Sequence, residues 1–146
     1  MIRAPTILLV EDYPLDVMMF EEALRIAGLS VDLKIARDGE EAQQFIAAGS
    51  VPDLIVLDLN LPRMDGFELL QEWKSRTPTR TIPIAVLSTS EADADVQRAY
   101  DLQANVYMVK PTGHQQLHDM ADALKRFWFQ VVKLPNQLGP YAAFSQ

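Results

Sequence analysis

The sequence predicts an α/β fold: a parallel sheet of five strands with helices on both of its faces. Three observations carry this. Short apolar runs and amphipathic segments alternate five times along the 146 residues. That is the pattern of strands joined by right-handed helical crossovers. Two of the runs, Ile7-Leu8-Leu9-Val10 and Leu54-Ile55-Val56-Leu57, are apolar without a break, which suits strands covered on both faces. Four of the five runs stop on a charged or hydroxyl residue: Glu11, Asp58, Ser88 and Lys110. In an open parallel sheet those positions share one edge, the edge where ligands bind.

Taken in order, Ile7 to Val10 form the first strand, closed by Glu11-Asp12. Pro14 can open a helix, because its missing N–H costs nothing in a first turn. Leu15, Met18, Met19, Ala23, Leu24 and Ile26 then follow a near-helical spacing up to Gly28, a helix stop. Val31 to Ala36 alternates apolar and polar residues, as an edge strand with one wetter face does. Asp38-Gly39 turns the chain, and Glu40 to Ala48 is a helix with Ala42, Phe45 and Ile46 inward. The central strand Leu54 to Leu57 runs into Asp58, Asn60, Pro62 and Gly66, all turn residues.

Phe67, Leu69, Leu70 and Trp73 mark a third helix that stops before Pro78. Ile82 to Leu87 is a fourth strand, its early Pro83 tolerated at a strand start, and Ser88-Thr89-Ser90 closes it. Glu91 to Leu102 is a helix rich in acids and poor in large apolar residues, expected to pack weakly and move most. Asn105 to Val109 is the fifth strand, ending on Lys110-Pro111. Leu117, Met120, Ala121, Leu124, Phe127 and Trp128 mark a long last helix. Residues 1–128 thus read as one domain. Residues 129–146 form an extension too short to fold alone, yet carrying Val131, Val132, Leu134, Leu138, Tyr141 and Phe144.

Composition narrows the function. There is no cysteine, so disulfides, thiolate metal sites and cysteine nucleophiles are excluded. The formal charge of −7 argues against non-specific nucleic-acid binding, which needs a Lys/Arg surface. No apolar run approaches the roughly 18 residues of a membrane span. The first ten residues are too short for a signal peptide, and the expected location is cytoplasmic.

Glu11, Asp12 and Asp58 would repel one another if brought together, raising their pKa values at a cost in stability. A hard divalent cation removes that cost. Mg²⁺ suits oxygen ligands, keeps waters and pairs with few carboxylates plus a phosphate, while the lack of thiol and nearby imidazole ligands argues against zinc. Asp58 can then attack phosphorus as a carboxylate nucleophile. Mg²⁺ and Lys110 would neutralise the transferring oxygens, and the Ser88 hydroxyl would donate to the attached group. His114 and His118 stand four apart at the start of the last helix, but without an evident acid ligand they read as surface residues. Acidic clusters such as Glu21-Glu22 and Glu40-Glu41 read as solvated helix faces.

These motifs together resemble the receiver domain of response regulators, the phosphoacceptor module of two-component signalling. The resemblance rests on the acid pair Glu11-Asp12, on Asp58 within Leu57-Asp58-Leu59-Asn60-Leu61-Pro62, on Met64-Asp65-Gly66, on Ser88 and on Lys110-Pro111. It covers about residues 5 to 128 and implies the flavodoxin-like (βα)5 doubly wound sheet with strand order 2-1-3-4-5. It implies that Asp58 accepts a phosphoryl group from a phosphohistidine on a sensor kinase. Glu11, Asp12, Asp58 and the Asn60 carbonyl would hold Mg²⁺, Ser88 and Lys110 would bind the phosphoryl group, Tyr107 would be a switch aromatic, and the Lys110-Pro111 bond would be cis. Ser88 stands where threonine is more usual and keeps the hydroxyl. Thr89 is bulkier than the family's usual residue, and Asn60 and Ser90 occupy positions that tune hydrolysis of the acyl phosphate.

Phe127-Trp128 followed by Leu134-Pro135 resembles stand-alone receivers that partner phytochrome histidine kinases. That implies output by protein contact and a homodimer through the fourth helix, fifth strand, last helix and tail. The protein is then no enzyme beyond its own phosphotransfer and dephosphorylation. Three other readings are weighed against this one. A phosphorylation-independent binding module would not need every acid, Ser88 and Lys110. A phosphohydrolase would want a second acid where Asn60 stands. A flavin-binding protein would want a phosphate cradle where Glu11-Asp12 would repel phosphate.

Overall fold

The computed structural model describes residues 4–131, with side chains described as far as Trp128. The expectation of a tail arm over residues 129–146 therefore falls outside the described side chains. The strands are β1 (Thr6–Val10), β2 (Asp32–Ala36), β3 (Leu54–Leu57), β4 (Ile84–Ser88) and β5 (Val106–Val109). They alternate with α1 (Pro14–Ala27), α2 (Gly39–Ala47), α3 (Gly66–Lys74), α4 (Asp93–Asp101) and α5 (His114–Ala123). All four strand pairings are parallel, in the order β2-β1-β3-β4-β5. The expected doubly wound fold is present, with β2 at an edge, as its alternating sequence requires.

Alternation along the strands divides the core in two. Ile7 and Leu9 of β1 and Leu54 and Val56 of β3 face α1 and α5, meeting Phe20, Leu24, Ala121 and Trp128. Leu8, Val10, Ile55 and Leu57 point the other way and meet Leu69, Leu70 and Trp73 of α3. The central strands β3 and β4 are buried at every position. Two sides of packing explain why their sequences carry no polar alternation.

Helix ends follow local chemistry. Pro14 starts α1, and Gly28 ends it in the left-handed region at φ 69°. Asp38 caps α2 by accepting from the Glu41 N–H. Asp65 and Glu68 form a reciprocal capping box on α3. The weak packing expected of the fourth helix is observed: Ala99 is the buried residue of α4. The last helix departs from expectation. It is α-helical only to Ala123 and continues from Leu124 to Val131 as a π-helix.

Candidate metal and phosphoryl site

Register builds the site. Val10 pairs with Leu57 across β1 and β3, so Glu11 and Asp58 leave their strands side by side. Ser88 pairs with Val109 across β4 and β5, which brings Lys110 to the same rim. Glu11, Asp58, Ser88 and Lys110 are all buried, whereas Asp12 and Asn60 are exposed. The site thus has a closed floor and an acidic, solvent-facing lip.

Gly66 fits this geometry for a steric reason. A Cβ there would stand 2.5 Å from the Asp58 carbonyl oxygen and 2.6 Å from the Leu59 Cα. Only glycine lets the start of α3 approach the chain at Asp58 so closely. The Gly66 N–H closes the loop onto the Leu59 carbonyl at 3.1 Å.

One oxygen from each of Glu11, Asp12 and Asp58 can lie within 4.8 Å of the others, the one such three-donor group among the described residues. Lys110 Nζ lies 2.8 Å from Glu11 Oε1 and 3.5 Å from Asp58 Oδ1. Asp58 Oδ1 also accepts from the Asn60 N–H at 3.3 Å, and Glu11 Oε2 from the Tyr13 N–H at 3.2 Å. These bonds do not offset the loss of water. Burial lifts the Glu11 carboxyl to about 7, despite the opposing bond to Lys110 and with help from the Asp58 charge. Burial also raises Asp58, against the pull of Lys110 and the Asn60 N–H. For Lys110 burial works downward, but its bonds to Asp16 and Glu11 and the charge of Asp58 outweigh it, so its pKa is raised.

The donor chemistry fits a hard divalent cation. All three side-chain ligands are carboxylates, and cis oxygens around one octahedral Mg²⁺ stand about 3 Å apart. The cluster, with its oxygens within 4.8 Å of one another, would have to contract to that spacing around the ion.

Ser88 is tied to Tyr107 and to α4 through Ser90. Ser88 Oγ accepts from the Ser90 N–H at 3.1 Å. The Ser90 carbonyl accepts from the Tyr107 hydroxyl at 2.9 Å, and Ser90 Oγ donates to Asp95 of α4 at 2.6 Å. Tyr107 is half-buried, and its own N–H is met by the Tyr100 hydroxyl at 3.1 Å. Thr89 is exposed at the rim.

One expectation is corrected. The Lys110-Pro111 bond is trans, the form X–Pro bonds usually take; the cis peptide bond of the described residues is Thr77-Pro78. His114 and His118 meet edge to face at 4.5 Å. Sequence reasoning missed Asp16, whose Oδ2 lies 2.6 Å from Lys110 Nζ, closer than either expected partner. Its one trace in the sequence is an acid in the first turn of the helix that follows Asp12, which is too ordinary to single out. It also missed the contact of Arg98 of α4, whose guanidinium sits 4.1 Å over the Phe67 ring of α3.

The fold and this set of strand ends define the class. The family model for the response regulator receiver domain matches residues 7–122. The chain belongs to that family.

Its relatives narrow the kind. Over 135 residues it is 38% identical to the response regulator Rcp1 of Synechocystis, spanning 88% of this chain and 92% of Rcp1. It resembles the crystal structure of Mn²⁺-bound Rcp1 with a TM-score of 0.81, covering 90% of this chain and 99% of that one. The phosphorylated cyanobacterial phytochrome response regulator RcpA is likewise 38% identical, with a TM-score of 0.83 and coverage of 90% and 99%. Response regulator RPA3017, of red light signalling in R. palustris, is 30% identical with a TM-score of 0.82 and coverage of 90% and 98%. The described part is a receiver domain of two-component signalling similar to phytochrome-associated regulators, and its three clustered acids, Glu11, Asp12 and Asp58, are placed as a divalent ion would need them.

Proposed function

We propose that this chain is a phosphorylation-switched signalling protein that takes a phosphoryl group on Asp58 from a sensor histidine kinase of phytochrome type. The observation that carries this reading is the convergence of Glu11, Asp12 and Asp58 with Lys110 on one rim. In the transfer, an Asp58 carboxylate oxygen forms a bond to phosphorus as the phosphorus–nitrogen bond of the kinase phosphohistidine breaks. The imidazole keeps the electron pair. Glu11, Asp12, Asp58 and the Asn60 carbonyl would hold Mg²⁺, which supplies charge neutralisation of the transferring oxygens.

The chain's own groups do the rest. Lys110 draws charge from the phosphoryl oxygens at the buried side of the site. The Ser88 hydroxyl accepts from Ser90, so its proton remains to donate to the attached phosphoryl group. A Ser88 that turns to the phosphoryl group loosens the Ser90 N–H, and the Ser90 carbonyl held by Tyr107 shifts with it. Tyr107 is thus the switch aromatic that remodels α4 and β5. Exposed Tyr13, Leu15, Met18 and Ile35 lie beside the lip and offer an apolar face to the donor.

The output is protein contact. Residues 1–128 act as the receiver and 129–146 as an arm. Two copies pair through α4, β5, the last helix with its π-helical continuation, and that arm; Tyr100, Val109 and Phe127 are exposed on those described elements. No described helix is long and apolar enough to cross a membrane, and we place the protein in the cytoplasm with its kinase.

Radiolabelled phosphotransfer tests this. A phytochrome-type kinase carrying labelled phosphohistidine should label the wild-type chain within minutes in Mg²⁺. Asp58→Asn, or chelation of the metal, should leave the label on the kinase. Transfer that survives Asp58→Asn would place the acceptor elsewhere.

A further inference from the structure

Lys110 is held off its target. Its ammonium has three protons to give. Two go to close partners, Asp16 Oδ2 at 2.6 Å and Glu11 Oε1 at 2.8 Å. The third carboxylate, Asp58, stands at 3.5 Å, beyond the usual 2.7–3.2 Å or so of an N–H···O bond. Glu11 is a buried floor residue, but Asp16 is about a quarter exposed and sits in the first turn of α1. There its charge is favoured by the helix N-terminus, and its N–H is bonded to the Tyr13 carbonyl at 3.0 Å. The resting ammonium is therefore held closer to Asp16 of α1 and to Glu11 than to the acceptor.

We propose that Asp16 is a holding carboxylate for Lys110: a positioning residue that retains the ammonium in the unphosphorylated protein and gives it up when Asp58 is phosphorylated. This rests on the reading of Asp58 as phosphoacceptor. An attached phosphoryl group brings close to two negative charges and three acceptor oxygens to the Asp58 side. Lys110 is the buried cation of the site, and its shift to those oxygens breaks the pair with Asp16. The first turn of α1 then loses its tie to the end of β5. Two consequences follow. Asp16 slows acquisition of the phosphoryl group, because Lys110 must leave a close partner to serve the transition state. Phosphorylation is also felt at the start of α1, on the opposite side of the sheet from α4.

The test compares wild type, Asp16→Asn and Asp16→Glu. Asparagine keeps the shape and an acceptor oxygen but removes the competing charge; glutamate restores the charge. With acetyl phosphate and saturating Mg²⁺, Asp16→Asn should raise the maximal rate of phosphorylation several-fold with the half-saturating concentration little changed, and Asp16→Glu should return it toward wild type. In the metal-free, unphosphorylated protein, the Lys110 side-chain ammonium signal in ¹⁵N NMR should move in Asp16→Asn and not in Asp16→Glu. Phosphorylation should shift the Leu15 and Val17 amides in wild type and much less in Asp16→Asn. Equal or lower maximal rates in Asp16→Asn, with an unmoved Lys110 signal, would overturn the role of Asp16 while leaving Asp58 as acceptor. A wild-type chain that takes no phosphoryl group would overturn both.

Discussion

Glu11 makes a sharp prediction at the scale of one residue. Its ordinary value is 4.5, and in the folded, metal-free chain burial lifts it to about 7. Between those values the native state binds the proton more tightly than the unfolded chain does. Glu11 therefore favours folding most below pH 4.5, and that contribution is lost as pH rises toward 7. With metal removed, chemical denaturation should find stability falling from pH 6 to pH 8 by on the order of 1–3 kcal/mol. Added Mg²⁺ should narrow the difference, because the cation replaces the proton and binds more tightly as Glu11 ionises. A flat profile without metal would contradict the buried, crowded environment assigned to Glu11. Gly66 gives a second case. Gly66→Ala would drive a Cβ against the backbone at Asp58 and Leu59. It should cost about 1–3 kcal/mol in urea unfolding and weaken metal binding with it, whereas Gly113→Ala, where the space is open, should cost far less.

Among the elements, hydrogen bonds at Ser90 join the site to Asp95 of α4 and, on a second branch, to Tyr107 of β5. Tyr107→Phe removes the bond to the Ser90 carbonyl. It should lower stability by roughly 0.5–1.5 kcal/mol and leave phosphorylation of Asp58 in place. Amide shifts of Val96 and Ala99 on phosphorylation should shrink, and full wild-type shifts in Tyr107→Phe would break the proposed path. The loose packing of α4, with Ala99 as its buried residue, suits it to the proposed response.

Glu11, Asp12, Asp58, Ser88 and Lys110 were legible because each closes or follows an apolar strand, and parallel topology sends all strand ends to one rim. Asp16 was not, since an acid in a first helical turn is ordinary and its contact with Lys110 spans distant parts of the chain. Arg98 over Phe67 is hidden for the same reason. The π-helical run from Leu124 was hidden differently: its apolar spacing also satisfies an α-helix, and the widening lies in the backbone alone.

For the whole molecule, the two sheet faces carry different sets of contacts. The α1 and α5 face bears Asp16 and the continuation through Phe127 and Trp128, whose rings meet edge to face at 5.5 Å. The opposite face bears α4 and its link to α3 through Arg98 and Phe67. The expected strand order was legible through the family motif; the alternating pattern by itself gave parallel strands and β2 at an edge, but no order for the rest. Residues 130–146 are proposed to steady a dimer. Their removal should raise the dimer dissociation constant in sedimentation velocity without altering the fold seen by circular dichroism. An unchanged constant would remove the arm from the interface.

Asp58 is proposed to accept a phosphoryl group on an acidic rim completed by a metal ion. Mass spectrometry of the intact chain and its peptides after acetyl phosphate treatment reads this directly. One phosphoryl group should appear in Mg²⁺, located on the peptide containing Asp58, and be absent with chelator and in Asp58→Asn. No adduct in Mg²⁺, or one that persists in Asp58→Asn or without metal, would contradict it.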